Sequence, residues 1–306
     1  MILLDNIRYE VGPGSRRLWS RTTSSKHRGS GAHRGSAQGR NVATRGRRPD
    51  FALSDVSLRF DNSTITYLVG LNGVGKSTLL KIMAGIVPVA SGVVSVDGAD
   101  PQKWDGPGRS LGVFLDTTAS EMKQSGRHHL HWVASAKRLS WDEADDMIVR
   151  VGLGAVADRP VRSYSLGMRQ RLGVATALLG WPRNIIMDEP MNGLDLAGML
   201  WLRSLMRDLA ERGHCVVVAS HHFADVERTA DRVVLLEGGT IVSQGSVRDV
   251  VGAHASLEEA FIDAIPRALN HAVAVGHNGA VPFGRNGVMP VGHNTAGRGS
   301  GHAGQI

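Results

Sequence analysis

Short apolar runs and longer helical patterns follow one another through the middle of the chain, as in a globular domain. The run TITYLV at residues 64–69 is β-branched and apolar, which predicts a buried strand. The residues STLLKIMAG at 77–85 have helical spacing and end in a glycine suited to the position after a helix. Farther along, the segment VVLLEGGTIVSQGS predicts a hairpin that turns at Gly238 and Gly239.

Two segments break this pattern, and we predict that both are disordered. Residues 13–50 are rich in Gly, Ser and Arg with few apolar residues, and they interrupt the expected first hairpin. Residues 266–306 are rich in Gly, Asn and His and contain the sequence VGHN twice. Weak metal binding by the histidines of this tail is an alternative, although their spacing matches no metal motif. The predicted globular domain therefore comprises residues 1–12 and 51–265.

The chain is basic, and the charge is concentrated in one segment. It has 306 residues, a net charge of +7 and a pI near 10.1, which suggests an anionic partner such as nucleic acid or lipid. Residues 13–50 hold ten Lys or Arg and one acidic residue, so this segment carries +9, which subtracted from +7 leaves −2 for the rest. Such an insertion either has no specific role or contacts the anionic inner leaflet of a membrane. No run of 18 apolar residues occurs and the first residues lack the pattern of a secretory signal, so we expect no membrane span.

The chain has a single cysteine, Cys215, which excludes an internal disulfide. Its neighbours at 216–218 are all valine, so we expect a small side chain in the core rather than a reactive thiol. A chain without disulfides suits a reducing compartment such as the cytosol.

A glycine-rich loop lies between the first predicted buried strand and the helix that follows it. Residues 70–77 read GLNGVGKS and fit the pattern G-x-x-x-x-G-K-[ST], in the strand–loop–helix context that a phosphate-binding loop requires. Glycines let backbone N–H groups approach phosphate oxygens closely, and the helix N-terminus adds partial positive charge. We expect Lys76 to reach the outer phosphates and the hydroxyl of Ser77 to ligate Mg²⁺. The loop therefore predicts a nucleotide-binding site.

Two acidic residues follow a second predicted buried strand far downstream. This strand ends in the apolar residues 185–187 and is followed by Asp188 and Glu189. Asp188 is placed to hold Mg²⁺ through water, and Glu189 to polarise a water molecule against the terminal phosphate. Upstream, Ser165 is expected to cap a helix with a glycine in its first turn, an arrangement that favours anions. An ordinary capped amphipathic helix is the alternative for that stretch.

The order and spacing of these motifs resemble the nucleotide-binding subunit of an ATP-binding cassette (ABC) transporter, in particular an exporter ATPase of actinobacterial type. The resemblance covers roughly residues 51–250 and the first strand. It implies an α/β fold with a P-loop NTPase core and a mostly parallel sheet, an antiparallel β-subdomain and a helical subdomain at about residues 117–164. It identifies a Walker A loop at 70–78, a signature motif at 164–168, a Walker B strand at 185–189, a D-loop at 192–195 and a switch histidine at His221.

The resemblance implies ATP and Mg²⁺ as cofactors, and two cassettes that pair head to tail around the ATP. The catalytic residues would be Glu189 as the base on water, His221 as a contact of the γ-phosphate, and Lys76. The implied nucleotide-binding residues are Gly70, Leu71, Asn72, Gly73, Val74, Gly75, Lys76, Ser77 and Thr78, together with Ser165 and Gly167, which would serve the ATP of the partner cassette. The implied Mg²⁺ ligands are Ser77, Asp188 and Asp116.

The sequence departs from the family pattern at two of these motifs. The signature motif reads YSLGM where the family usually has LSGGQ, so the serine and the second glycine are kept. Asp116 stands where the family has the glutamine of the Q-loop. A shorter, charged ligand at that position can still meet Mg²⁺ through water.

The implied function is ATP hydrolysis that powers transport, with export as the expected direction, by a separately encoded transmembrane permease. The second cassette would be an identical or a different chain, and the assembly would lie on the cytoplasmic, inner face of the plasma membrane. The alternative is a soluble ABC ATPase that acts on nucleic acid or the ribosome. The basic insertion favours that alternative, but such relatives usually carry two cassettes or a long coiled coil, and no sustained heptads occur in this chain. Nucleic acid is therefore the less favoured partner.

Overall fold

The computed structural model describes residues 1–11, 50–104, 110–115 and 123–274. The predicted basic insertion lies outside the described residues except for Asp50, and so does the tail from residue 275 onward. The described strands are β1 (Ile2–Val11), β2 (Asp50–Phe60), β3 (Thr64–Val69), β4 (Ser91–Val96), β5 (Leu111–Phe114), β6 (Asn184–Asp188), β7 (Cys215–Ser220), β8 (Arg232–Glu237) and β9 (Thr240–Ser246). The described α-helices are α1 (Lys76–Met83), α2 (Gly126–Ala136), α3 (Trp141–Arg150), α4 (Leu166–Leu178), α5 (Leu196–Glu211), α6 (Phe223–Thr229), α7 (Val247–Val251) and α8 (Leu257–Ala274).

The larger sheet has six strands in the order β5-β6-β7-β3-β8-β9. Neighbours from β5 to β8 run parallel, and β9 is antiparallel to β8. Strand β3 occupies the residues predicted for it, and every residue of β7 is buried, as expected for a parallel sheet covered on both faces. The β8–β9 pair turns at Gly238 and Gly239, which confirms the predicted hairpin.

Two hydrophobic cores lie on the two faces of this sheet. Ile65 and Tyr67 of β3 belong to the core that packs under α4, α5 and α8, whereas Leu68 belongs to the core beneath α1. This division follows from the pleat of the strand, since successive side chains point to opposite faces. The phosphate-binding loop begins immediately after β3, so its position is fixed by packing on both sides.

The smaller sheet is antiparallel, with the strand order β2-β1-β4. Its inward residues, among them Ile2, Leu4 and Ile7, are fully buried against α1. Val11 pairs with Asp50, and these are the described residues on either side of the predicted basic insertion. The expected antiparallel β-subdomain is therefore present.

Helices α2, α3 and α4 form a separate group, and the first two fall within the predicted helical subdomain. Ser140 caps α3, with a capping box completed by Glu143. The histidines of α2 contact protein groups: His129 Nε2 lies 3.0 Å from the Thr176 hydroxyl, and His131 Nε2 lies 2.9 Å from Asp145. These hydrogen-bond contacts give both histidines a role in packing the helices together, without a metal ion.

The last helix crosses the predicted end of the globular domain. The composition predicts that boundary at residue 265, before Pro266, but α8 continues to Ala274. The reason lies in the composition beyond the proline, since three of the residues from 268 to 274 are alanine, the best helix former. No helix in the described part of the chain is both long and apolar enough to cross a bilayer.

Candidate active site

The glycine-rich loop joins the end of β3 to the start of α1, as its pattern requires. At Gly70 a Cβ atom would lie 2.4 Å from the carbonyl oxygen of Leu236, so the close passage of β8 excludes any side chain. Gly75 has φ of +111°, a left-handed conformation that places it as the residue before α1. The loop thus presents backbone N–H groups at the N-terminus of a helix, where anions are favoured.

Lys76 is folded against the loop that it follows. Its side chain is 5% exposed, and Nζ donates hydrogen bonds to the carbonyl oxygens of Gly70 at 2.6 Å and Leu71 at 3.1 Å. Burial lowers the pKa of Lys76, while the nearby carboxylates of Glu189 and Asp188 act in the opposite direction. The ammonium group is therefore a buried positive charge held by neutral carbonyls.

Asp188 ends β6 and lies beside the N-terminus of α1. Burial raises the pKa of Asp188, and the neighbouring hydroxyl of Ser77 acts in the opposite direction. Its Oδ1 atom is buried and accepts no hydrogen bond. A buried carboxylate oxygen without a donor, beside a hydroxyl oxygen, is a donor set that fits Mg²⁺, which prefers oxygen ligands.

Glu189 has an unusual backbone that directs it toward the next strand. Its φ is +47°, and its N–H donates to the carbonyl of Ala219 in β7 at 3.0 Å. The Oε1 atom lies 2.7 Å from Nδ1 of His221, which follows β7. The structure thus brings the predicted base and the predicted switch histidine together across two adjacent strands. His222 adds a third potential ligand atom within 4.8 Å of these two side chains.

A cavity of about 440 Å³ lies over the loop and the two acidic residues. Its lining includes eight predicted site residues, namely Asn72, Gly73, Gly75, Lys76, Ser77, Thr78, Asp188 and Glu189. The other three predicted loop residues, Gly70, Leu71 and Val74, do not line the cavity. Four further lining residues were not predicted for this site: Lys81, Phe114, Gln170 and Asn192.

The predicted signature residues lie apart from that cavity. Ser165 caps α4, with its hydroxyl accepting a hydrogen bond from the N–H of Met168 at 3.2 Å, so the predicted cap is confirmed. Leu166, which replaces a glycine of the family motif, covers Gly193, and a Cβ atom on that glycine would lie 2.1 Å from Leu166 Cδ2. Because the carbonyl of Gly193 also borders Gly167, the predicted signature motif rests on the predicted D-loop of the same chain.

A family model described as ABC transporter matches residues 53–192. The chain is 34% identical over 223 residues to the uncharacterized ABC transporter ATP-binding protein YdbJ of Bacillus subtilis (strain 168), covering 71% of each protein. It is 32% identical over 213 residues to the lantibiotic transport ATP-binding protein SrtF of Streptococcus pyogenes, covering 70% of this chain and 90% of that protein.

The chain belongs to the ATP-binding subunits of ABC transporters. The fold agrees with this: a solved structure described as an ATP binding subunit of an ABC transporter matches 87% of this chain and 99% of its own length, with a TM-score of 0.67 and 22% identity. The P-loop NTPase fold predicted from the sequence is therefore confirmed. Asp116, which the family resemblance predicts at the Q-loop position, lies outside the described residues.

Proposed function

We propose that this cassette hydrolyses ATP and thereby powers transport through a separately encoded transmembrane permease. The observation that carries the proposal is the hydrogen bond between Glu189 and His221 beside a cavity that also holds Lys76 and Asp188. A buried cation, two carboxylates and a loop of backbone donors in one cavity suit a bound nucleoside triphosphate better than a neutral ligand.

Each group has a separate task in this proposal. Lys76 and the N–H groups of the loop hold the phosphates, while Ser77 and Asp188 hold Mg²⁺, which neutralises phosphate charge. Glu189 accepts a proton from water as its oxygen bonds to the γ-phosphorus and the bond to the bridging oxygen of ADP breaks. His221 holds the Glu189 carboxylate in place and contacts the γ-phosphate.

The position of the signature motif supports a site shared by two cassettes. Ser165 and Gly167 lie outside the cavity of their own chain and are free to serve the ATP of a second cassette, identical or different. Closure on ATP and reopening after hydrolysis would then be a shift between two states driven by the ligand.

We further propose export as the direction of transport and the inner face of the plasma membrane as the location. The similarity to a lantibiotic transport protein supports a lantibiotic-like compound as the cargo. The actinobacterial affiliation stays a prediction, because the relatives named above come from Bacillus subtilis and Streptococcus pyogenes.

The experiment that tests the function is co-purification of the cassette with the membrane protein encoded beside its gene. We expect a stable complex in detergent whose Mg²⁺-dependent ATP hydrolysis exceeds that of the cassette alone. A neighbouring gene for a six-helix membrane protein would agree with this expectation. Hydrolysis that responds to RNA or ribosomes, and not to a membrane protein, would contradict it and favour the soluble alternative.

The basic insertion at residues 13–50 supports an additional contact with anionic lipid. Each basic residue near such a surface contributes about 1 kcal/mol, so ten of them give measurable binding at low salt. Co-sedimentation with vesicles tests this, with a variant that lacks residues 13–49 as the control. Equal binding to neutral and anionic vesicles would refute the contact.

A further inference from the structure

Gln170 places a buried amide in the cavity of the candidate active site. It lies in α4, five residues after the capping Ser165, and its side chain is 6% exposed. It is among the residues that line the cavity beside Asp188, Glu189 and Asn192. Glutamine side chains are mostly exposed in proteins, so a buried one is unusual. When a glutamine is buried, its polar atoms usually have hydrogen-bond partners.

The orientation of this amide is fixed by one hydrogen bond. Nε2 of Gln170 donates to the backbone carbonyl oxygen of Asn192 at 2.8 Å. A carbonyl oxygen only accepts hydrogen bonds, so the NH₂ group must face Asn192 and the Oε1 atom must face away from it. Oε1 is buried and accepts no hydrogen bond from any described residue.

The same turn of chain anchors both Gln170 and Glu189. The N–H of Asn192 donates to the carbonyl oxygen of Glu189 at 3.1 Å, closing a turn over residues 189–192. Gln170 is attached to the carbonyl at the end of this turn, and the carboxylate of Glu189 stands at its start. Gln170 and Glu189 are therefore anchored to the same four-residue turn, and both line the cavity.

Two buried acceptors without a donor in one cavity, Oε1 of Gln170 and Oδ1 of Asp188, indicate that the ligand supplies donors or positive charge. Asp188 is suited to a cation because it bears a charge of its own. Gln170 is neutral and lies toward the turn of Glu189, where a water molecule must sit to be deprotonated. A water molecule at this position can donate one hydrogen bond to each of two acceptors. An oxygen lone pair then remains free to attack the γ-phosphorus.

We propose that Oε1 of Gln170 accepts a hydrogen bond from the water that Glu189 deprotonates, and so orients it for attack on the γ-phosphate. This inference rests on the proposed ATP hydrolysis and adds a residue to it. One proton of the water points to Glu189, which takes it, and the other stays on the oxygen and points to Gln170. The amide neither gains nor loses a proton.

The test compares Gln170→Met with the wild-type cassette, because methionine keeps the length of the side chain and removes both polar groups. We expect kcat to fall roughly 10-fold to 100-fold, as for other groups that orient a reacting atom, with KM and the Kd for Mg-ATP within about twofold. Trapping of ADP with vanadate should weaken by the same factor as kcat, because the interaction belongs to the transition state. Gln244→Met, at an exposed position on β9, is the matched control and should change none of these values.

Three results would overturn the inference. An unchanged kcat in Gln170→Met would do so, as would recovery of kcat at high Mg²⁺ concentration, which would make Gln170 a metal ligand. Equal loss of ATP binding and turnover would make its role structural. If the wild-type cassette does not hydrolyse ATP, the proposed function itself fails, and that result is distinct from these three.

A second measurement does not depend on how the variant folds. In a crystal structure of the wild-type cassette with ADP, Mg²⁺ and aluminium fluoride, we expect the oxygen opposite the leaving group to lie about 2.6–3.2 Å from Gln170 Oε1. A separation beyond about 4 Å, with no hydrogen bond between them, would refute the proposal.

Discussion

The Nδ1 atom of His221 lies 2.7 Å from Oε1 of Glu189, across the carboxyl ends of two neighbouring parallel strands. Strands β6 and β7 pair with Asp188 opposite Ala219, and each then leads directly into one of the two residues. The left-handed backbone of Glu189 costs about 1–2 kcal/mol and is held by its hydrogen bond to Ala219. The contact is therefore set by the positions of the two strand ends, and it does not depend on two flexible side chains meeting.

This geometry predicts the behaviour of Glu189→Gln. Glutamine has the same shape but accepts no proton, so we expect hydrolysis to fall by about 10²- to 10⁴-fold while ATP still binds. An ATP-bound dimer should then accumulate, which size-exclusion chromatography with multi-angle scattering detects with and without ATP and Mg²⁺. A monomer under all conditions, in protein shown to bind ATP, would instead indicate an obligate different cassette or assembly on the permease.

The strand β3 and the glycine-rich loop of this site could be predicted from the sequence, because both are determined by residues that are neighbours in the chain. The β-branched residues at 64–69 give β3 its bounds, and the close approach of Leu236 requires a glycine at position 70. The pairing of His221 with Glu189 was implied only by the family resemblance. No local pattern in the chain shows which strands become neighbours.

Gln170 could not be predicted for the site from the chain alone. Helix α4 buries an apolar face that includes Leu172 and Ala175. The burial of Gln170 on the same helix depends on the carbonyl of Asn192, which lies in a different part of the sequence. Phe114 reaches the cavity for a similar reason, since its strand β5 is placed beside β6 by the sheet order.

Lys76→Ala should abolish turnover. The substitution removes the buried ammonium group and leaves the carbonyls of Gly70 and Leu71 without their donor. The phosphates then lose a positive charge that attracts them, and the loop loses two hydrogen bonds that hold its conformation. We expect hydrolysis to fall by at least about 10²-fold. Lys103→Ala, at an exposed lysine paired with Asp100, is the control and should retain wild-type activity. Retained activity in Lys76→Ala would refute the role of the loop.

Asp188→Asn should stabilise the protein in the absence of nucleotide. Burial raises the pKa of Asp188, so the folded state binds its proton more tightly than the unfolded state does. The unfolding free energy therefore decreases as the pH rises from the unfolded pKa near 3.8 through the raised folded value, and it stays lower above that value.

Asparagine removes this penalty, so Tm at pH 7.5 should rise by on the order of a few degrees. The gain should shrink toward pH 4, where the carboxyl becomes protonated. Thermal unfolding at both pH values measures the effect. A lower Tm for the variant at pH 7.5 would show that the ionised carboxylate stabilises the fold. Mg²⁺-dependent hydrolysis should be lost in the same variant.

Cys215 should be inert in the folded protein. Its side chain is fully buried in β7, and burial raises the pKa of the thiol to about 12. Because the thiolate is the reactive form, labelling with a disulfide reagent at pH 8 should require opening of the sheet. We expect almost no reaction in the native protein and one thiol per chain in guanidinium chloride. Rapid labelling under native conditions would contradict the buried position.

Gly193→Ala tests the contact between the predicted signature motif and the predicted D-loop. Gly193 has φ of +76° and is covered by Leu166, so alanine meets both backbone strain and a side chain. Gly213→Ala is the matched control, because Gly213 has φ of +93° but nothing within 4 Å of an added Cβ atom. We expect the control to lower the unfolding free energy by about 1–2 kcal/mol, and Gly193→Ala to lower it further.

The variant Leu166→Ala separates the two causes of this loss. Combined with Gly193→Ala it removes the overlapping side chain, so the double variant should be more stable than the sum of the single effects by about 0.5–3 kcal/mol. Urea unfolding of the four proteins of this cycle, without nucleotide, provides the values. Strict additivity would mean that Leu166 moves aside at no cost, and that the leucine in the signature motif does not hold the D-loop in place.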